Sequence, residues 1–242
     1  MRYKMVISYD GSKYYGFQRQ KNVKSIQGEL ENFISKYLSS SVLVKGSGRT
    51  DKGVHAKGQV INFITSRSIP KDRFIYALNK QLPFDIKVLS IKYVDLSFHA
   101  RFSAKKKEYK YFIKTKGLSA FDSNYYVYEP NLDVSLMNEA IKLFEGTHDF
   151  KGFCAMDINP LKDTTKTIYK VDIKEKRDML VFSFTGSGFL KYQIRRMMAI
   201  LIEIGKHKES VETIKYILEN KDPLKFSKVA KPNGLYLYHV YY

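Results

Sequence analysis

Apolar and polar residues alternate along Tyr3-Lys4-Met5-Val6-Ile7-Ser8-Tyr9, which puts Tyr3, Met5, Ile7 and Tyr9 on one face and predicts a strand. Asp10-Gly11-Ser12 ends it. An aromatic but polar stretch, 14–20, follows, and then the period changes. Ser25 is a good N-cap, and Ile26, Leu30, Phe33, Ile34, Tyr37 and Leu38 fall on one helical face. Apolar runs at Val42-Leu43-Val44 and at 60–64 predict two strands around a loop. A second helix is predicted over 71–82, carrying Phe74, Ile75, Leu78 and Leu82, and a strand over 86–94.

Residues 97–104 read as a crossing into a second half. Over 105–114 the chain alternates again, with Tyr109, Tyr111 and Ile113 on one face and Lys110, Phe112 and Lys114 on the other. Aromatics flanked by lysines suit base stacking and phosphate contact; they equally suit a strand whose tyrosines cap a core. Asp133 caps a helix bearing Leu136, Met137, Ala140, Ile141 and Phe144. Residues 167–173 and 179–185 predict a hairpin around a charged turn at 174–178. A long helix is expected from near Leu190 to Ile204, ended by Gly205, with Leu190, Ile194 and Met198 on one face and Arg195 beside it. A third helix over about 211–218 and a strand over 235–241 complete the chain. The first half has the order β-α-β-β-α-β, and the second repeats it loosely. The expected class is α+β. Two ferredoxin-like (RRM-like) halves, 1–104 and 105–242, form a mixed sheet flanked by helices, with a cleft between them for the active site.

Composition narrows the function. At 242 residues, 44% hydrophobic and 27% charged, the chain is an ordinary globular one with a substantial core. No apolar run is long enough to span a membrane and no targeting segment is seen. Cys154, the single cysteine, has no partner for an internal disulfide, and a cytoplasmic protein is expected. No Cys/His cluster has zinc-ligand spacing, so no metal is expected. Lys and Arg total 42 against 24 for Asp and Glu, a net charge of +18. That surplus implies a polyanionic partner, nucleic acid first, and 19 Tyr with 16 Phe supply stacking surfaces.

The densest chemistry lies between the two apolar runs, in Lys45-Gly46-Ser47-Gly48-Arg49-Thr50-Asp51-Lys52-Gly53-Val54-His55-Ala56. Its glycines describe a backbone that turns sharply or admits another molecule closely. One carboxylate, Asp51, sits between the cations Arg49 and Lys52, which favour its ionised form. An ionised carboxylate on such a loop is a candidate nucleophile or base, and Asp-Lys-Gly is also ordinary turn chemistry.

Gly48-Arg49-Thr50-Asp51-Lys52-Gly53-Val54-His55-Ala56 resembles the G-R-T-D-x-G-V-H-A signature of the TruA family of tRNA pseudouridine synthases at every fixed position. Tyr9-Asp10-Gly11, Tyr15-Gly16-Phe17-Gln18-Arg19-Gln20, Gln27-Gly28-Glu29-Leu30, Phe98-His99-Ala100-Arg101, Tyr109-Lys110-Tyr111, Gly146-Thr147-His148-Asp149-Phe150, 189–205 and Asn233-Gly234-Leu235-Tyr236-Leu237 also resemble it, in family order. The resemblance implies an isomerase that converts uridine to pseudouridine at positions 38 to 40 of the tRNA anticodon stem-loop. It implies no cofactor and no metal, and a homodimer. Asp51 is then the catalytic carboxylate acting on a flipped nucleotide. Tyr109 falls at the tyrosine that stacks on the uracil, Arg195 at the basic partner of the aspartate, and Arg49 where it reaches the RNA backbone or the vacated base space. His55 is expected to stabilise the loop. The chain departs from the family pattern at Arg196, usually Asn, and at Ala199, usually Gly; the extra arginine is expected to strengthen phosphate contact or alter selectivity. Two other readings compete: a non-catalytic RNA-binding module, and a metal-dependent nuclease, for which one motif carboxylate is too few.

Overall fold

In the computed structural model, which describes residues 1–157, 159, 161 and 163–242, the first strand is β1 (Arg2–Tyr9), and Tyr3, Met5, Ile7 and Tyr9 are buried as the alternation predicts. Helix α1 (Ile26–Leu38) starts where its cap is: Ser25 Oγ accepts the Gly28 N–H at 3.3 Å. It buries Ile26, Leu30, Ile34 and Leu38. The short β2 (Lys45–Gly46), β3 (His55–Ile64), α2 (Lys71–Gln81) and β4 (Ile86–Val94) follow. β1 lies between β3 and β4, antiparallel to both, and β2 adds to β3 antiparallel at Ile61 and Asn62.

Val42-Leu43-Val44 departs from expectation. Val42 and Val44 are buried and Leu43 exposed, so the alternation is present, but the segment is not a strand. Its main chain is taken up by side chains of α1. The Val42 N–H donates to Ser35 Oγ at 2.9 Å and the Val44 N–H to Glu31 Oε1 at 3.0 Å. The Val44 carbonyl accepts from Gln27 Nε2 at 3.1 Å. Backbone groups satisfied this way are not available for a ladder.

The chain continues through β5 (Lys106–Lys114), β6 (Val127–Tyr128), α3 (Val134–Lys142), β7 (Gly146–Asp149), a 3-10 turn at Phe150–Phe153, β8 (Thr165–Lys176) and β9 (Met179–Gly186). Two helices, α4 (Gln193–Gly205) and α5 (Glu212–Asn220), precede the closing strand β10 (Leu235–Tyr241). β5, β9, β8 and β7 pair antiparallel in that order, and β6 joins β5 in parallel. Tyr109, Tyr111 and Ile113 of β5 are buried. Asp133 caps α3 through the Leu136 N–H at 2.9 Å. The β8–β9 hairpin turns at Arg177-Asp178, with Arg177 at φ 49, so residues 174–176 belong to β8 rather than to the expected turn. The architecture is α+β.

The long helix also starts later than its apolar pattern predicts. Tyr192 stands at φ 65, a left-handed conformation that no α-helix continues, and Gln193 Oε1 turns back to accept the Leu190 N–H at 2.8 Å. α4 therefore begins at Gln193, with Leu190 buried outside it.

Two compact units result: Met1–Lys105 with Tyr236–Tyr242, and Lys106–Leu235. Chain order assigns the last strand to the second half. Its pairing returns it to the first, parallel to β3 with Tyr236 opposite His55 and Leu237 opposite Ala56.

Asp149, at the end of β7, anchors the second unit. It accepts from Thr164 Oγ1 at 2.6 Å and from the Lys151 N–H at 3.0 Å, with Lys221 Nζ 3.3 Å away. Partial burial works against its charge, but the Thr164 and Lys151 hydrogen bonds and the Lys221 cation outweigh it and hold the carboxyl below its ordinary value. A depressed carboxylate contributes stability that is complete above its unfolded pKa, about 4, and is lost as pH falls through the folded value. Melting temperatures recorded between pH 6 and 3 should therefore fall less steeply for Asp149→Asn than for the wild type; parallel curves would remove this role.

Candidate active site

The loop from β2 to β3 carries Asp51 and Arg49. Two buried anchors hold its start: Ser47 donates its N–H to the Val60 carbonyl at 2.7 Å and its Oγ to Gln59 Oε1 at 2.6 Å. Gln59, wholly buried on β3, also donates from Nε2 to the Gly48 carbonyl at 3.0 Å. Thr50, next to Asp51, is pinned twice. Its Oγ1 lies 2.8 Å from the Tyr9 hydroxyl, and its carbonyl accepts the Phe17 N–H at 3.1 Å. The Asp51 carbonyl then accepts the Val54 N–H at 3.1 Å, closing a tight turn with Gly53 at φ 78.

The opening segment packs directly on this turn. A Cβ at Gly16 would stand 2.6 Å from the Thr50 carbonyl oxygen, and one at Gly11 would stand 2.0 Å from that of Val54. Only glycine fits at either position, so Gly11 and the aromatic stretch 14–20 form the floor of the Asp51 turn. His55 is buried, its ring stacked on Tyr236 at 4.6 Å. Its Nδ1 lies 3.1 Å from both the Gly11 amide and Asp10 Oδ1; unprotonated it accepts from Gly11, and protonated it donates to Asp10. Asp51 is half-buried and Arg49 exposed. Lys52 is exposed with its ammonium 4.0 Å from the centre of the Tyr15 ring.

Tyr109 and Arg195 belong to the second unit. Tyr109 is 8% exposed on β5 and meets Phe189 edge-on at 5.2 Å. Arg195 is half-buried on α4 and grips Ala230 from two sides: its Nε donates to the Ala230 carbonyl at 2.8 Å, and its own carbonyl accepts the Ala230 N–H at 3.0 Å. Its guanidinium lies 5.0 Å from the Tyr192 ring centre. Tyr111, two residues from Tyr109 on the same face, donates to the Lys231 carbonyl at 2.8 Å. Burial raises the Tyr111 phenol, with the Arg195 charge acting against it. The segment at 230–231 thus ties β5 to α4 and sets where Arg195 starts from.

Arg196 is not a phosphate contact. It is 2% exposed, and its Nη2 donates at 2.5 Å to each of the Pro223 and Phe226 carbonyls. Burial lowers its pKa from the ordinary arginine value. It clamps the loop after α5 to α4 and settles that Arg195, not Arg196, is the arginine with an exposed face. Ala199 is buried within the same helix. Sequence reasoning missed Tyr9 and Gln59 as supports of the loop. The available signal was Gln59, a polar residue directly before the apolar run that begins at Val60.

Among the described residues no group of three or more His, Cys, Asp and Glu is placed to hold a metal ion, and no helix is long and apolar enough to cross a membrane. A family model described as tRNA pseudouridine synthase matches residues 5–103 and 140–242. The chain belongs to the tRNA pseudouridine synthase family. The tRNA pseudouridine synthase A of Geobacillus sp. (strain WCH70) is 43% identical over 244 residues, covering 100% of this chain and 98% of that protein. The tRNA pseudouridine synthase A of Bacillus subtilis (strain 168) is 45% identical over 246 residues, covering 100% and 99%. That of Phytoplasma mali (strain AT) is 39% identical over 241 residues, covering 99% and 98%. Among solved structures, a chain of a Cbf5-Nop10-Gar1 complex overlaps at TM-score 0.38 and 12% identity, covering 83% of this chain and 45% of that one. Arg49, Asp51 and Arg195 lie within the segments matched by the pseudouridine synthase family model, and Tyr109 lies between them.

Proposed function

We propose that this tRNA pseudouridine synthase isomerises uridine at positions 38–40 of the anticodon stem-loop, with Asp51 as its catalytic carboxylate. Membership of the family makes it an isomerase. The N1–C1′ bond breaks, the uracil turns, and C5 bonds to C1′; the proton lost from C5 is balanced by one gained at N1, so the reaction consumes no cofactor. The observation that carries the assignment of Asp51 is its place on a glycine-rich turn braced from β1, β3 and the opening loop. A carboxylate held that way meets a substrate without first being ordered. Asp51 attacks the sugar or base, or acts as a base, on a nucleotide flipped out of its stack.

Tyr109 stacks on the flipped uracil, Arg195 is the basic partner that keeps Asp51 ionised, and Arg49 contacts the RNA backbone or the emptied base position. Each unit is taken as a ferredoxin-like half, which is supported in the first by the order β1-α1-β2-β3-α2-β4 and by β1 standing between β3 and β4. The enzyme works in the cytoplasm as a homodimer on the tRNA anticodon arm. The net charge of +18 supplies the attraction to RNA.

Incubating unmodified tRNA transcripts with the enzyme and mapping pseudouridine by carbodiimide-stopped primer extension tests this. Stops one nucleotide 3′ of positions 38 to 40 are the expected result. Pseudouridine elsewhere would overturn the site preference, and tight binding with none formed would leave an RNA-binding module.

A further inference from the structure

A buried polar network lies under the Asp51 turn in the first unit. Tyr9 is 5% exposed and spends its hydroxyl on Thr50 Oγ1, 2.8 Å away. Burial pushes its phenol up to about 12, with hydrogen bonding to Thr50 and Gln59 acting against the rise, so the hydroxyl keeps its proton throughout the working pH range. Thr50 precedes Asp51 and is held on its other side by the Phe17 N–H at 3.1 Å. Gln59 is full as well: Oε1 takes the Ser47 hydroxyl at 2.6 Å and the Val60 N–H at 3.1 Å, and Nε2 gives to the Gly48 carbonyl at 3.0 Å. Buried networks of this kind, fully satisfied, favour one arrangement of the main chain they hold.

Tyr9 and Gln59 sit on neighbouring strands, β1 and β3, whose ladder runs from Arg2 opposite Ile64 to Ile7 opposite Gln59. Beyond Ile7 the register shifts, and Tyr9 is opposite Ala56. The irregularity falls where the sheet gives way to the Asp51 turn, and the Tyr9 hydroxyl reaches the loop there. β-bulges commonly re-aim a side chain next to an active site in this way.

We propose that Tyr9 is a positioning residue for the isomerisation: through the Thr50 hydroxyl, with Gln59 holding the start of the same loop, it fixes the main chain from which Asp51 projects. Tyr9 touches no substrate, and its effect passes through the loop supports it bonds, Thr50 first and Gln59 second. This rests on Asp51 being the catalytic carboxylate.

Single-turnover tritium release from [5-³H]uridine-labelled tRNA, with filter-binding Kd and melting temperature recorded for each variant, tests it. The wild type and Asp51→Asn come first, because an inactive wild type or an active Asp51→Asn would refute the reading beneath the proposal rather than the proposal itself. With those in place, Tyr9→Phe should lower the rate about five- to tenfold, the worth of one buried hydrogen bond, while tRNA Kd stays within about twofold. Thr50→Val should lower it to the same degree, the double variant no further than the lower single, and Thr50→Ser, which keeps the hydroxyl, should restore most of the rate. A Tyr9→Phe rate equal to wild type, multiplying effects in the double variant, or rate and affinity falling together would each overturn the proposal. A lowered melting temperature with an unchanged rate would make Tyr9 a residue of the core and nothing more.

Discussion

Asp51→Asn should abolish turnover and leave tRNA affinity within about twofold of wild type. Asparagine has nearly the shape of aspartate and leaves the main-chain and neighbouring braces of the turn unchanged. The braces are the Asp51 carbonyl, the Thr50 hydroxyl and carbonyl, and Gln59. The loop therefore keeps its form and loses one negative charge. A nucleophile or base cannot be replaced by a neutral amide, so the rate should fall by more than about 10³-fold, or about 4 kcal/mol of barrier. Affinity does not follow, because a net charge of +18 binds the polyanion no less well with one carboxylate fewer. Tritium release under single turnover, beside filter binding, reads both quantities. Release at the wild-type rate would mean that Asp51 is turn chemistry and that the reacting group lies elsewhere.

Arg196→Met should unfold the protein earlier and spare the chemistry per folded molecule. The guanidinium of Arg196 satisfies two carbonyls, those of Pro223 and Phe226, inside a site only 2% exposed. Methionine fills much of the same space but donates nothing, so both carbonyls lose a charge-assisted partner. The cost expected is about 2–4 kcal/mol. For a chain of this size that is roughly a 5–15 °C drop in the transition of the second unit. A lysine at 196 keeps the charge but not the planar fork, and should recover only part of the loss. Differential scanning fluorimetry with tRNA binding separates the outcomes. An unchanged melting temperature with weakened, salt-dependent binding would return Arg196 to the phosphate-contacting role that its sequence position suggests.

Local rules carried much of the fold. The alternation over residues 3–9 became β1 with the expected four residues inside, and the same held for Tyr109, Tyr111 and Ile113 on β5. Ser25 and Asp133 cap the helices that follow them. Where periodicity misled, a long-range polar partner had intervened. Val42-Leu43-Val44 has a strand's burial pattern, but Glu31, Gln27 and Ser35 of α1 claim its backbone. The apolar face beginning at Leu190 runs ahead of its helix because Tyr192 adopts a left-handed conformation there. Arg196 followed Arg195 in sequence and looked like a second surface cation, yet one helical step turned it from an exposed face to a buried one.

Of the candidate active site, the sequence by itself determined which carboxylate is the candidate and what surrounds it along the chain. A lone carboxylate among cations, in a loop whose glycines admit a tight turn, matches one family's signature position by position. These are properties of neighbours along the chain, and neighbours are what a sequence records. The tertiary structure decided what holds that group still. Tyr9 lies 41 residues before Thr50, Gln59 lies 11 after Gly48, and the strand paired with β3 beside His55 comes from the far end of the chain. A hydrogen bond acts over about 3 Å, whatever the separation in sequence. Only folding makes such distant residues neighbours.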